Sequence, residues 1–148
     1  LNNVMIDEAT GKAICVIDLD TVMPGSVLFD FGDAIRIGAS TAVEDEPDLS
    51  KVKIDLNLFK LFSQGFLEVF RKELKKDEIA NLVASTKIIT LECGMRFLTD
   101  YLDGDNYFKI HYENHNLVRA RTQLKLVQEI ETHEAEMQQI IDDILKSL

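Results

Sequence analysis

The sequence predicts a mainly α fold (α+β) in which a small β-hairpin packs on a helical bundle, and three observations carry that prediction. Two short apolar runs open the chain, Val4-Met5-Ile6 and Ala13-Ile14-Cys15-Val16-Ile17, separated by the polar Glu8-Ala9-Thr10-Gly11-Lys12. In the middle, Leu56, Phe59, Phe62, Phe66, Leu67 and Phe70 recur at helical period. From Asn114 to the end the chain is rich in Glu, Gln, Leu and Ile and holds neither Pro nor Gly.

The two opening runs and the Gly-ended polar segment between them read as an antiparallel hairpin. Pro24 and Gly25 mark a turn, after which Val27, Leu28, Phe29, Ala34, Ile35 and Ile37 suggest a helix over residues 26–38. The acidic stretch from Glu44 to Asp48 reads as an exposed, mobile loop. An amphipathic helix is expected over residues 55–74 and a short one N-capped by Asp77 and reaching about Val83. A further helix is expected over residues 86–102, with Ile88, Leu91, Cys93, Met95 and Leu98 on or near its buried stripe. Asp103-Gly104-Asp105-Asn106 ends it with turn residues. One long terminal helix follows, its apolar side formed by Leu117, Leu124, Val127, Ile130, Met137, Ile141, Ile144 and Leu148. That stripe is too loose for a strict coiled coil and suits core packing.

At 148 residues the chain has the length of one domain able to bury its own core. Hydrophobic residues at 46% and charged ones at 28% place it among soluble globular proteins. No apolar run reaches the roughly 18 residues of a membrane helix and no secretory leader is visible, so a cytoplasmic protein without membrane contact is expected. A net charge of -10 argues against nucleic acid, whose binding depends on clustered Lys and Arg. Cys15, in an apolar strand, and Cys93, in a helical pattern, read as buried reduced thiols. His111 and His115 are four apart but lack a third ligand in a convincing frame, so they read as surface or boundary histidines rather than a zinc site.

Chemistry concentrates at the hairpin. Asn3 and Asp18 both fall near its open end, and magnesium takes hard oxygens from one or two protein groups with water and phosphate supplying the rest. Read on its own, the pair suits two polar strand ends meeting solvent better than a metal site. Period-two alternation sends Asp18 and Asp20 to one face, where two carboxylates repel unless a cation or donors lie between them.

The order Asn-Asn-Val-(apolar)2-Asp, a short turn, Val-Ile-Asp-Leu-Asp, then Pro24-Gly25-(x)4-Asp30-Phe31-Gly32-Asp33 resembles the C-terminal lobe of the aminoglycoside phosphotransferase-like kinases. The runs over residues 15–37 and 91–107 resemble more closely the N-acetylhexosamine 1-kinases, which phosphorylate the anomeric hydroxyl of GlcNAc or GalNAc. The resemblance implies a protein-kinase-like C-terminal lobe that uses ATP and Mg2+. It assigns Asn3 and Asp18 to the metal, with Asp20 as a second carboxylate ligand. Asp30 would accept hydrogen bonds from the catalytic-loop backbone and hold its shape, while Arg96 and Tyr107 would bind the amino sugar. In that family the catalytic Asp lies just upstream of the Asn pair. The general base, the lysine after it and the nucleotide-binding lobe are therefore expected upstream of Leu1, and residues 1–148 alone are expected to be inactive.

Competing readings stand beside these. Asp30-Phe31-Gly32 matches the metal-holding triplet of protein kinases, but Asp18 occupies the corresponding place after a strand, and Asp30 also suits a first-turn carboxylate facing the helix dipole. Arg96 could pair structurally with Glu92 at i-4. The hairpin motif is also compatible with a choline, homoserine or aminoglycoside type of substrate. A non-catalytic helical domain that self-associates through exposed apolar surface forms a further class. A sulfatase is excluded on chemistry, because neither Cys15, Cys93, Ser26 nor Ser40 stands in the Cys/Ser-x-Pro-x-Arg frame that formylglycine formation needs.

Overall fold

The computed structural model describes residues 3–20 and 22–148. Its elements run β1 (Val4–Ile6), β2 (Ala13–Val16), α1 (Val27–Gly38), a 3-10 turn (Leu49–Lys51), α2 (Leu56–Phe70), α3 (Lys76–Ala80), α4 (Leu82–Leu102) and α5 (His115–Ser147). The fold is mainly α with one two-stranded antiparallel sheet, as the sequence predicts.

Val4 pairs with Val16, Met5 with Cys15 and Ile6 with Ala13, with an irregularity between Met5 and Ile6. The turn is fixed at its base by Gly11 N–H donating to the Asp7 carbonyl (2.8 Å) and Asp7 N–H to the Lys12 carbonyl (2.8 Å). Gly11 takes φ +67°, a conformation that costs glycine little. The Asp7 carboxylate accepts from the Thr10 hydroxyl and backbone N–H, which draws its pKa below the ordinary value. Met5, Ile6, Ile14 and Val16 remain exposed on this hairpin. Cys15 is exposed with them and Cys93 is half-buried, which corrects the expectation of two buried thiols. An apolar flanking sequence signals burial only if another element covers the strand, and here both faces of β2 meet solvent.

The helices hold the core. α4 packs against both α1 and α5, and α2 packs against α5. Ser26 caps α1, its hydroxyl accepting from Leu28 N–H at 3.3 Å, and Asp55 caps α2 by accepting from Asn57 and Leu58. Phe31 of α1 is fully buried and meets Phe59, Phe62 and Phe66 of α2 at ring-centroid separations of 6.3, 5.8 and 5.1 Å. From α5 the buried stripe is Leu126, Val127, Ile130, Met137, Ile141 and Ile144, while Leu124 and Leu148 lie at the exposed margin. Two glycines let helices approach. A Cβ on Gly32 would lie 2.7 Å from the Ser85 carbonyl oxygen of α4, and one on Gly94 would lie 3.1 Å from Gln123 Cβ of α5.

Five further expectations change. Ile88, Leu91 and Met95, expected on or near the buried stripe of α4, are exposed. α4 starts at Leu82 rather than at residue 86, and the short helix before it spans Lys76–Ala80 with Asp77 in its first turn. Lys75 is its N-cap residue, and the Glu78 carboxylate accepts the Lys75 N–H at 2.8 Å. α2 ends at Phe70 in hydrogen-bonded turns rather than running to residue 74. The acidic loop is anchored by contacts distant in sequence. Glu44 accepts from Arg36 Nη1 at 2.8 Å, Asp45 lies 3.0 Å from His115 Nε2, and the Glu46 carbonyl accepts from the Thr122 hydroxyl at 2.9 Å.

Candidate functional site

At the hairpin mouth, Asn3 Nδ2 donates to Asp18 Oδ2 at 3.0 Å. The backbone brings them together, because Ile17 N–H donates to the Asn3 carbonyl at 2.9 Å, one step beyond the last strand pair. Asp18 takes φ 62°, a left-handed conformation that Asp tolerates better than most residues. β2 ends at Val16, so the alternation that would send Asp18 and Asp20 to one face does not extend to them. Asp20 lies exposed in the turn that follows.

The donor chemistry of the pair fits magnesium. Beyond their mutual hydrogen bond, Asn3 and Asp18 each carry a further oxygen. Magnesium is held by one or two such groups and keeps water or phosphate oxygens in its other positions. Among the described residues no group of three or more His, Cys, Asp or Glu is arranged to hold a metal.

Asp30 stands in the first turn of α1 and is exposed, while Phe31 enters the core and Gly32 meets α4. The triplet that looks like a metal motif thus performs two packing tasks with its second and third residues. Its carboxylate lies at the positive end of the helix dipole.

Arg96 and Tyr107 come together. Arg96 Nη2 is 3.4 Å from the Tyr107 hydroxyl, and the guanidinium carbon lies 5.7 Å from the Tyr107 ring centroid and 5.3 Å from that of Phe108. Glu92 Oε1 is 3.7 Å from Arg96 Nε, so the helical ion pair and the aromatic contact coexist. Both residues line a groove of about 630 Å³ on α4, together with Ile88, Leu91, Met95 and Thr99 and the acidic Glu92, Asp100 and Asp103. An apolar trough with a few convergent polar groups is the usual form of a small-molecule site.

Asp100 also lines this groove, and its importance was not visible in the sequence. It is 6% exposed, and its carboxylate accepts from the N–H groups of Asn106 (2.9 Å), Tyr107 (2.8 Å) and Phe108 (2.9 Å) and from Asn116 Nδ2 (2.8 Å). Burial pushes its carboxyl up. The N–H donors of Phe108, Tyr107 and Asn106 outweigh that and leave the pKa below its ordinary value of 3.8. The only hint in the sequence is an Asp in the last turn of a helix just before the Asp-Gly-Asp-Asn turn.

A second polar cluster, away from the groove, ties the bundle together. Arg36, 9% exposed, donates to Asp33 and Glu44 at 2.8 Å each and to Gln123 of α5 at 3.3 Å. Burial lowers its pKa, and the hydrogen bond to Glu44 with the charges around it more than restores the charged form. His115 is buried rather than at the surface or boundary as expected: its Nδ1 accepts from His111 N–H at 3.2 Å, which leaves Nε2–H to donate to Asp45. No spacing rule links Arg36 to Gln123 or Asp45 to His115, so sequence reading missed both.

Residues 1–56 match the family model of the phosphotransferase enzyme family. The matched segment holds the hairpin, α1 and the acidic loop, and therefore Asn3, Asp18, Asp20 and Asp30. It supports a kinase-like phosphotransferase of the aminoglycoside phosphotransferase type, a family that generally uses ATP and Mg2+. Arg96 and Tyr107 lie outside the match. No helix among the described residues is long and apolar enough to cross a membrane.

Proposed function

We propose that this chain is the C-terminal lobe of a cytoplasmic, ATP-dependent sugar kinase that phosphorylates an N-acetylhexosamine, GlcNAc or GalNAc, at its anomeric hydroxyl. The family match over the hairpin supports phosphoryl transfer. The observation that carries the sugar reading is the pairing of Arg96 with Tyr107 in the groove, a cationic donor beside an aromatic face. Asn3 and Asp18, with Asp20 as the further carboxylate, would hold magnesium, which when bound neutralises charge on the transferring phosphates. Asp30 would hold the catalytic loop. Positioning and charge stabilisation would supply most of the rate.

Two features favour neighbouring readings. Glu92 and Asp103 place carboxylates in the same groove, which suits a cationic substrate of the choline or aminoglycoside kind. The exposed Met5, Ile6, Ile14 and Val16 offer apolar surface through which copies of the chain could associate.

Titration of the isotope-labelled chain with GlcNAc, GalNAc, choline and homoserine separates these readings. Shifts at Arg96 and Tyr107 with the hexosamines, abolished by Arg96→Ala, are expected. Shifts with choline alone would move the assignment to a cationic substrate. A sedimentation mass of twice the chain with no ligand response would favour the self-associating domain.

A further inference from the structure

We infer that Asp100 is a positioning residue: by holding the backbone of residues 106–108 it sets the Tyr107 ring against Arg96 and so shapes the groove. This rests on the reading of the groove as a ligand site.

Asp100 occupies the last turn of α4, where the helix dipole disfavours a carboxylate and burial adds to the cost. An unbuttressed anion would not persist there. It is held by four donors, two on each oxygen: Oδ1 takes the N–H groups of Asn106 and Tyr107, and Oδ2 takes that of Phe108 and the side-chain amide of Asn116. Asn116 is itself fully buried and also donates to Asp105 Oδ1 at 2.8 Å, so the clamp is tied to α5.

The consequence falls on Arg96. Both aromatic rings beside its guanidinium, Tyr107 and Phe108, belong to residues whose backbone N–H groups bond Asp100. Phe108 is seated further by its contact with Phe97, at a centroid separation of 4.7 Å. Tyr107, by contrast, is 74% exposed, so packing alone does not hold it. The carboxylate on α4 thus fixes the backbone that carries the Tyr107 ring, whose own neighbours are the Phe108 ring, at a centroid separation of 4.7 Å, and the Arg96 guanidinium.

Asp100→Asn tests this, because one acceptor oxygen becomes a donor facing the N–H cluster. With helical content by circular dichroism and the Tyr101 and Tyr112 resonances unchanged, the through-space NMR contact between the Tyr107 ring and Arg96 is expected to vanish. The Kd for GlcNAc is expected to rise about tenfold, as expected for one lost oriented contact. Persistence of the Tyr107–Arg96 contact in the folded variant would overturn the inference. If the variant does not fold, hydrogen exchange in the unsubstituted chain decides. Amides of Asn106, Tyr107 and Phe108 exchanging about a hundredfold more slowly than those of Lys109 and Ile110 support the clamp, and equal rates overturn it. Absence of GlcNAc binding by the unsubstituted chain would remove the sugar reading, while the contact and exchange readouts would still decide the role of Asp100.

Discussion

Gly32 of α1 meets Ser85 of α4 so closely that a Cβ on the glycine would lie 2.7 Å from the serine carbonyl oxygen. The neighbour is helix backbone, which cannot rotate away as a side chain can. Gly32→Ala gains helix propensity of about 1 kcal/mol but must force the helices apart, at a typical cost of about 1–3 kcal/mol. Urea unfolding is expected to show a net loss of stability of about 1 kcal/mol. Gly65, within α2 and with open space where its Cβ would stand, is the control. Gly65→Ala is expected to stabilise by about 0.5–1 kcal/mol.

Arg36 joins α1, the acidic loop and α5 through Asp33, Glu44 and Gln123. Its carboxylate partners are about half exposed and return to water when it is removed, so the cost stays below that of breaking a fully buried pair. Arg36→Met is expected to cost about 1–3 kcal/mol. It should also accelerate amide exchange at Thr41 and Glu46 relative to the core of α5.

Acid stability has a definite sign. Asp100 has its pKa lowered on folding, so the unfolded chain binds its proton more readily. Its stabilising contribution is fully present above the unfolded value and is lost as pH falls through the lower folded value. Asp7, Asp48 and Asp143, also lowered, act in the same direction. Denaturant melts from about pH 5 downward are therefore expected to show falling stability, and a shallower slope in Asp100→Asn.

Asp18 sits on an exposed hairpin and touches Asn3 rather than the core. Asp18→Asn, which keeps a residue tolerant of the left-handed backbone at this position, is expected to change unfolding free energy by less than about 0.5 kcal/mol. Any effect on phosphate transfer would then belong to the site and not to the fold.

How much was legible follows from how each feature is encoded. Local signals worked in part: the Phe59–Leu67 stripe and the hairpin turn at Gly11 are set by neighbours within a few residues, whereas the expected Asp77 cap gave way to Lys75. The pairing of Asn3 with Asp18 was legible because a hairpin returns the chain in a fixed register. Cys15 misled because the alternation of a strand does not say which faces are covered. The acidic loop misled because its partners, Arg36, His115 and Thr122, stand on helices that only the tertiary fold brings near it. Asp100 was invisible for a related reason. Its donors are backbone N–H groups, whose positions carry no side-chain signature.

Phosphate transfer from ATP and magnesium to GlcNAc and GalNAc by the full-length protein tests the proposed kinase most directly. Sugar 1-phosphate formed by the full-length protein and abolished in Asp18→Ala is the expected result. A folded, full-length protein that transfers phosphate to neither hexosamine, or whose transfer survives Asp18→Ala unchanged, would contradict it.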